Sequence, residues 1–301
     1  MTTTQKVGVF KKPGLFIGML FALLIMVQPV ALNANVTFIH DNFSSLYLKP
    51  DTRAKWWLIN WAGQNNQPVR TEDYCGLASC IKAMKENFST FVRLSTFPGS
   101  QSGFFVNADM AELHTGFPSQ GTGTWTPSYH HPIVLETRVR WGAQYKQDGT
   151  GAVGSNGIWL WNSPYNFENY DPGATLSAIG FNWAEFDTAG GYLGGLKVLA
   201  LDGNFPVYIN KPTHAVNLQS WTPFALIWSE DANGVQSVQY YLDGENLGTV
   251  QLPRRLTNLS LETWNDNENG QIGADGSLSI TYMDIPSTQN FDVNEINLVQ
   301  L

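Results

Sequence analysis

Glu185 and Asp187 stand two positions apart in the run FNWAEFDTAGG, residues 181–191. In an extended strand, residues two apart share a face, so Phe181, Trp183, Glu185 and Asp187 are predicted on one side, the two acids with Cα atoms roughly 6.5–7 Å apart. Paired carboxylates do acid–base chemistry. In glycosidic cleavage one carboxylate attacks or activates water while the other protonates the leaving oxygen, at a separation of about 5–5.5 Å for retention or about 6.5–9.5 Å for inversion. The two groups flank the bond, whereas Glu185 and Asp187 approach from a single row, so a second group must come from elsewhere. Glu262 is the first alternative, because LETWND alternates it with Trp264 and Asp266 on one face. Glu136 follows, although Arg138 and Arg140 beside it read as a surface ion-pair ladder. The competing reading for all these acids is the solvated face of an antiparallel sheet.

Aromatic rings extend the same chemistry. Sugars stack their C–H faces on indole rings while polar side chains meet their hydroxyls. Trp183, Trp264, Trp159, Trp161, Trp141 and Trp125 are the candidates; Trp183 and Trp264 lead because each shares a strand face with carboxylates. Trp228, inside FALIW, reads as core. His130-His131 precedes Pro132 in a loop, and His40, His114 and His214 form neither HxH nor HExxH, so catalytic zinc has no support. The stretch WNDNENGQIGADGS, residues 264–277, lacks EF-hand spacing but offers acid and carbonyl oxygens that could hold calcium. Cys75 and Cys80 in CGLASC are the only cysteines and read as one local disulfide closing a small loop. Asn42, Asn87 and Asn258 each begin an N-x-S sequon.

These residues need strands to position them, and strands are what the pattern gives. From Ile133, residues 132–141 alternate Ile133, Leu135, Thr137 and Val139 on one side with Val134, Glu136, Arg138 and Arg140 on the other. NGIWLWN is an aromatic strand. Asp202-Gly203 marks a turn, and Asn233-Gly234 with Asp243-Gly244 divides residues 223–252 into a three-strand meander. LTNLSLETWND, GSLSITYMDI and FDVNEINLVQL add strands, and LASCIKAMKENF, residues 77–88, is predicted as a short helix. Many strands with few short helices imply an all-β sandwich of two packed antiparallel sheets.

Ahead of this domain lies a different kind of segment. Lys11 and Lys12 precede the apolar run LFIGMLFALLIMV and the small-residue stretch QPVALNA. That order reads as a secretory signal over residues 1–34, with an uncleaved anchor as the alternative. Residues 35–301 then form a single domain with no linker or repeat. The formal charge is −8, and loss of Lys6, Lys11 and Lys12 with the leader makes the remainder more acidic still. An acidic surface argues against nucleic acid and anionic membranes as partners. The expected partner is a polysaccharide or oligosaccharide, met outside the cell or in the periplasm by a monomer that needs no membrane after signal cleavage and requires no cofactor.

Several runs in order resemble the concanavalin A-like jelly roll and, within it, family 16 glycoside hydrolases. They are VTFIHDNFS, MAELHTG, IVLETRVRW, NGIWLWN, FNWAEFD, the 221–249 hairpins and FDVNEINLVQL. The resemblance covers most of residues 36–301 and implies a glycan in a concave cleft lined by Trp and carboxylates. It matches Glu185 to the nucleophile and Asp187 to its helper, but puts the acid/base position at Ala189 or Gly190, neither of which can transfer a proton. Binding is therefore expected ahead of cleavage. The alternatives are an endo-acting hydrolase using Glu185 or Asp187 with a carboxylate such as Glu262, a polysaccharide lyase, and a structural surface module. The resemblance also places a structural calcium at Asp41, near Asn294.

Overall fold

Alternating apolar and polar residues become strands throughout the computed structural model, which describes residues 36–46, 56–60, 67–68, 73–98, 110–115, 123–146, 151–162, 177–184, 195–202, 207–209, 216–272 and 278–301. In chain order the strands are β1 (Val36–Asp41), β2 (Trp57–Asn60), β3 (Gln67–Pro68), β4 (Asp73–Cys75), β5 (Ser79–Glu86), β6 (Ser89–Thr96), β7 (Met110–His114), β8 (Thr124–Trp125), β9 (Ile133–Trp141) and β10 (Ser155–Asn162). They continue with β11 (Ser177–Ala184), β12 (Gly195–Asp202), β13 (Val207–Ile209), β14 (Thr222–Glu230), β15 (Gln236–Leu242), β16 (Glu245–Gln251), β17 (Leu259–Asp266), β18 (Glu268–Ile272), β19 (Leu278–Tyr282) and β20 (Gln289–Gln300).

The first sheet runs β16-β15-β14-β9-β20-β6-β5-β4, with β1 also on β20. The second runs β13-β12-β11-β10-β17-β7-β2-β3, with β8 also on β17, and β18–β19 form a separate hairpin. The strands within each sheet pair antiparallel, so hydrophobic alternation gives each sheet one inner face. Ile133, Leu135, Val139 and Leu226 of the first sheet and Ile158, Leu160, Phe181 and Leu261 of the second belong to one buried cluster. Aromatic contacts cross between the layers: Phe181 lies 4.2 Å from Phe224 and 5.9 Å from Trp141. Buried polar groups bridge the layers as well. The Asn265 amide donates to the carbonyls of Leu94 and Gln289 and its oxygen accepts the Tyr145 hydroxyl at 2.7 Å. Val36–Leu301 forms one compact unit. The described fold is an all-β sandwich of two antiparallel sheets.

Two expectations are corrected. Among the described residues there is no helix, and the segment predicted as one is β5, which pairs with β6 from Ser79↔Thr96 to Glu86↔Ser89. Ile81 is fully buried there while Leu77 and Phe88, at helical spacing from it, are exposed, so the cross-strand partners and not a helical stripe decide the conformation. The Cys75–Cys80 disulfide joins directly opposed residues of β4 and β5. Nor do the acids and arginines of β9 pair along their own strand. Arg140 reaches Asp292 at 2.8 Å and Glu86 at 2.9 Å, and Arg93 binds the same Asp292 carboxylate at 2.7 and 2.8 Å. The Arg140 guanidinium also lies 4.6 Å from the Trp221 ring. Among the described residues Glu136 has no ion pair, and its pKa is raised by burial and by the nearby Glu295.

Candidate functional site

The second sheet's outward face carries the chemistry. On β10 the inner positions are Ile158 and Leu160, so period two turns Ser155, Gly157, Trp159 and Trp161 outward. On β17 the inner positions are Leu259, Leu261, Thr263 and Asn265, which leaves Ser260, Glu262, Trp264 and Asp266 outward. Register then sets the neighbours. Trp159 stands opposite Glu262 and Gly157 opposite Trp264; on the far side of β17, Glu262 faces His114 and Trp264 faces Glu112. Towards the other edge, Gly157 faces Asn182 of β11, which faces Lys197 of β12.

The three tryptophans form one platform. The half-buried Trp159 ring lies 4.2 Å from Trp264 and 5.3 Å from Trp161, the latter pair stacked at 21°. Glycine makes room for it: a Cβ on Gly157 would come within 2.9 Å of Trp264 Cη2, and one on Gly180 within 2.5 Å of Trp159 Cβ. The indole nitrogens fix the ring orientations. Trp159 donates to Glu262 Oε2 at 2.9 Å and Trp264 donates to Ser155 Oγ at 2.8 Å. Ser155 in turn donates from its hydroxyl and its backbone N–H to Asp266 Oδ1 at 3.0 and 3.1 Å.

Although these side chains point away from the sandwich core, most are closed to solvent: Glu262 is 2% exposed, His114 1%, Lys197 1% and Asn182 4%. Burial penalises the charged imidazole and lowers the His114 pKa to about 3, so His114 is neutral beside Glu262. Among the described residues, the buried Trp161 indole N–H and the Asn182 carboxamide oxygen have no hydrogen-bond partner. An orphaned donor and an orphaned acceptor on one face are what a hydroxyl-bearing ligand could satisfy.

The predicted residues divide into three groups. Glu262, Trp264, Trp159, Trp161 and Asp266 come together on this face. Glu185 and Asp187 lie outside the described residues. Trp183 is corrected: it is fully buried in the core cluster, edge-on to Tyr145 at 4.9 Å, with its indole N–H donating to the Lys146 carbonyl at 2.6 Å. Its strand is turned the other way from the expectation, because Ile179 and Phe181 take the inner face and Asn182 the outer. Trp141 and Trp228 are also core. Asp41 accepts hydrogen bonds at both carboxylate oxygens. One oxygen accepts the Phe43 N–H at 2.8 Å and the other the Trp56 indole N–H at 2.7 Å, while the Asn294 side chain turns to the Thr90 carbonyl. The one group of three metal-type ligands among the described residues is Asp73, Cys75 and Cys80, whose sulfurs are bonded to each other.

Sequence reasoning passed over Glu112, Asn182 and Lys197, and weighed His114 only as a metal ligand. The alternation in MAELH carried a usable signal, since Ala111 and Leu113 are inner and the two ionisable residues between and after them must share the outer face. Nothing local showed that this face adjoins Glu262, about 150 residues further on.

No family model matches the sequence, and no curated protein matches it. Solved structures do. An endo-1,3-β-glucanase from Streptomyces sioyaensis has 11% identity and a TM-score of 0.52, over 91% of this chain and 99% of that one. The alginate lyase AlgAT5 from polysaccharide lyase family 7 gives 10% and 0.49 over 82% and 95%. The Bacillus licheniformis β-glucanase gives 14% and 0.43 over 88% and 99%. Of these three the Streptomyces glucanase alone passes a TM-score of 0.5, and at such identity the likeness is one of fold. Strand order, antiparallel pairing and that likeness agree: this chain has the concanavalin A-like jelly-roll fold of the β-glucanases.

Proposed function

We propose that this protein is exported and recognises a polysaccharide on the outward face of its second sheet, with Trp159 as the central stacking ring. The observation that carries the reading is the platform itself: a half-buried indole between two others, with Glu262 held against its nitrogen and orphaned hydrogen-bonding atoms on either side. Aromatic rings with a few fixed polar groups are how proteins hold sugar rings. The Streptomyces neighbour is named as an endo-1,3-β-glucanase, which makes a β-1,3-glucan the first ligand to try. Export rests on the basic–apolar–small leader in residues 1–34.

Affinity gels containing β-1,3-glucan, mixed-linkage β-glucan, galactan or alginate test the reading. Retardation in at least one gel is expected. Trp159→Ala should weaken it about tenfold or more, the loss of a stacking contact worth about 1–2 kcal/mol. Phe88→Ala, a fully exposed ring on the β5–β6 turn, should leave it unchanged. A protein retarded by none of these gels is a structural module and not a glycan-binding one.

A further inference from the structure

Three asparagines open an N-x-S sequon, and the fold treats them differently. A sequon is read through its carboxamide and its hydroxyl together, so both have to be within reach from solvent. Asn42 is exposed, but Phe43 beside it is fully buried, and the Asn42 carbonyl accepts the Thr90 hydroxyl at 2.7 Å. Asn258 is exposed as well, but the hydroxyl that completes its sequon is not: Ser260 is buried on β17 and donates to the Trp161 carbonyl at 3.2 Å. Asn87 differs from both. Glu86 pairs with Ser89 across a two-residue turn, and Asn87, Phe88 and Ser89 are all exposed. The turn holds Asn87 at a φ of 54°, in the left-handed region that asparagine enters at small cost. The hairpin beneath it is pinned, with Glu86 lying 2.9 Å from Arg140 of β9. Phe88 is an apolar ring that the fold leaves wholly in water, and a bulky, solubilising group on the neighbouring residue would cover it. β5 and β6 belong to the first sheet, so this tip stands on a different sheet from the Trp159 platform.

We propose that Asn87 is an N-glycosylation site, taking an oligosaccharide from a polyprenyl-diphosphate donor as the chain is exported, an inference that rests on the export reading above. The Asn87 carboxamide nitrogen bonds to the anomeric carbon of the donor's first sugar. The bond from that carbon to the diphosphate oxygen breaks, and the polyprenyl diphosphate leaves with the electron pair. The nitrogen gives up one proton to solvent. Nothing is oxidised or reduced, and the attached oligosaccharide projects from the tip of the β5–β6 hairpin.

The full chain with its leader is produced in a eukaryotic cell line that transfers such oligosaccharides. The secreted protein is treated with peptide:N-glycosidase, which converts a glycosylated asparagine to aspartate, and its peptides are weighed by mass spectrometry. Conversion of Asn87 is expected in most molecules. It should be lost in Ser89→Ala, which removes the hydroxyl and leaves Asn87 and the turn in place, and kept in Ser89→Thr. Ser89 is exposed, so the urea midpoints of the two variants, compared without sugar, should match that of the unaltered protein. Secreted protein with Asn87 unmodified overturns the proposal and leaves export standing. Sugar on Asn42 or Asn258 with Asn87 bare, or conversion undiminished in Ser89→Ala, also overturns it. A chain held inside the cell with residues 1–34 still attached removes the export reading beneath it.

Discussion

At His114, burial alone lowers the imidazole pKa from 6.5 to about 3. The unfolded chain therefore binds a proton between those values that the folded chain refuses. The folded state has its full stability above about pH 6.5 and loses it as pH falls towards 3, at up to about 1.4 kcal/mol per pH unit. Replacing the imidazole removes this dependence. Unfolding free energies from urea titrations at pH 7 and pH 5 should differ more for the unaltered protein than for His114→Asn, by up to about 2 kcal/mol. Equal pH dependence in the two proteins would show that folding does not lower the His114 pKa. The same residue-scale logic applies to its neighbour. Glu262, opposite His114 on β17, is almost wholly buried, so it is held by local contacts rather than by water.

The elements decide where those side chains meet. β10 and β11 approach closely because Gly157 and Gly180 present no side chain to the outward surface. A Cβ on Gly157 would stand 2.2 Å from the Phe181 carbonyl oxygen and 2.9 Å from Asn182 Cα, backbone atoms that move only if β11 moves. Gly157→Ala should cost about 1–3 kcal/mol and lower the thermal midpoint by several degrees. It should also disturb the Trp264 ring, visible as a change in tryptophan fluorescence. An unchanged midpoint would mean that the two strands are not in this register. Strand phase explains which parts of the site were legible in sequence. β17 announced its phase, since Leu259 and Leu261 mark the inner face and leave Glu262, Trp264 and Asp266 for the outer. In β11 every position is apolar, small or an amide, so SAIGFNWA fits either phase, and Trp183 went to the wrong side. In and beside β5 the apolar residues Leu77, Ile81, Met84 and Phe88 recur at helical spacing, yet of these only Ile81 is fully buried. The meander from β14 to β16 was readable because its turns carry their own chemistry: Asp243, Gly244 and Gly234 all have positive φ.

Over the whole molecule, the sheet order is what no local pattern discloses. β17 lies between β10 and β7, and β9 lies between β14 and β20, pairings that span a hundred residues or more on at least one side. The site is a product of that order: its rows draw on β12, β11, β10, β17 and β7 in turn. β20 occupies the most demanding place, with β9 along one side and β6 and then β1 along the other. Its Asp292 binds both Arg93 and Arg140, and Phe291, Val293, Ile296 and Leu298 are buried without exposure. A chain ending before Gln289 should show no cooperative unfolding transition in urea; a sharp transition would mean that the first sheet closes without it. Because a ribosome delivers residues in order, the keystone of this sheet arrives only after every other strand of it. The nascent chain must wait, unsealed, until the dozen residues of β20 emerge, and that wait leaves time for a helper protein to capture it or for it to be threaded through a narrow pore before it locks shut.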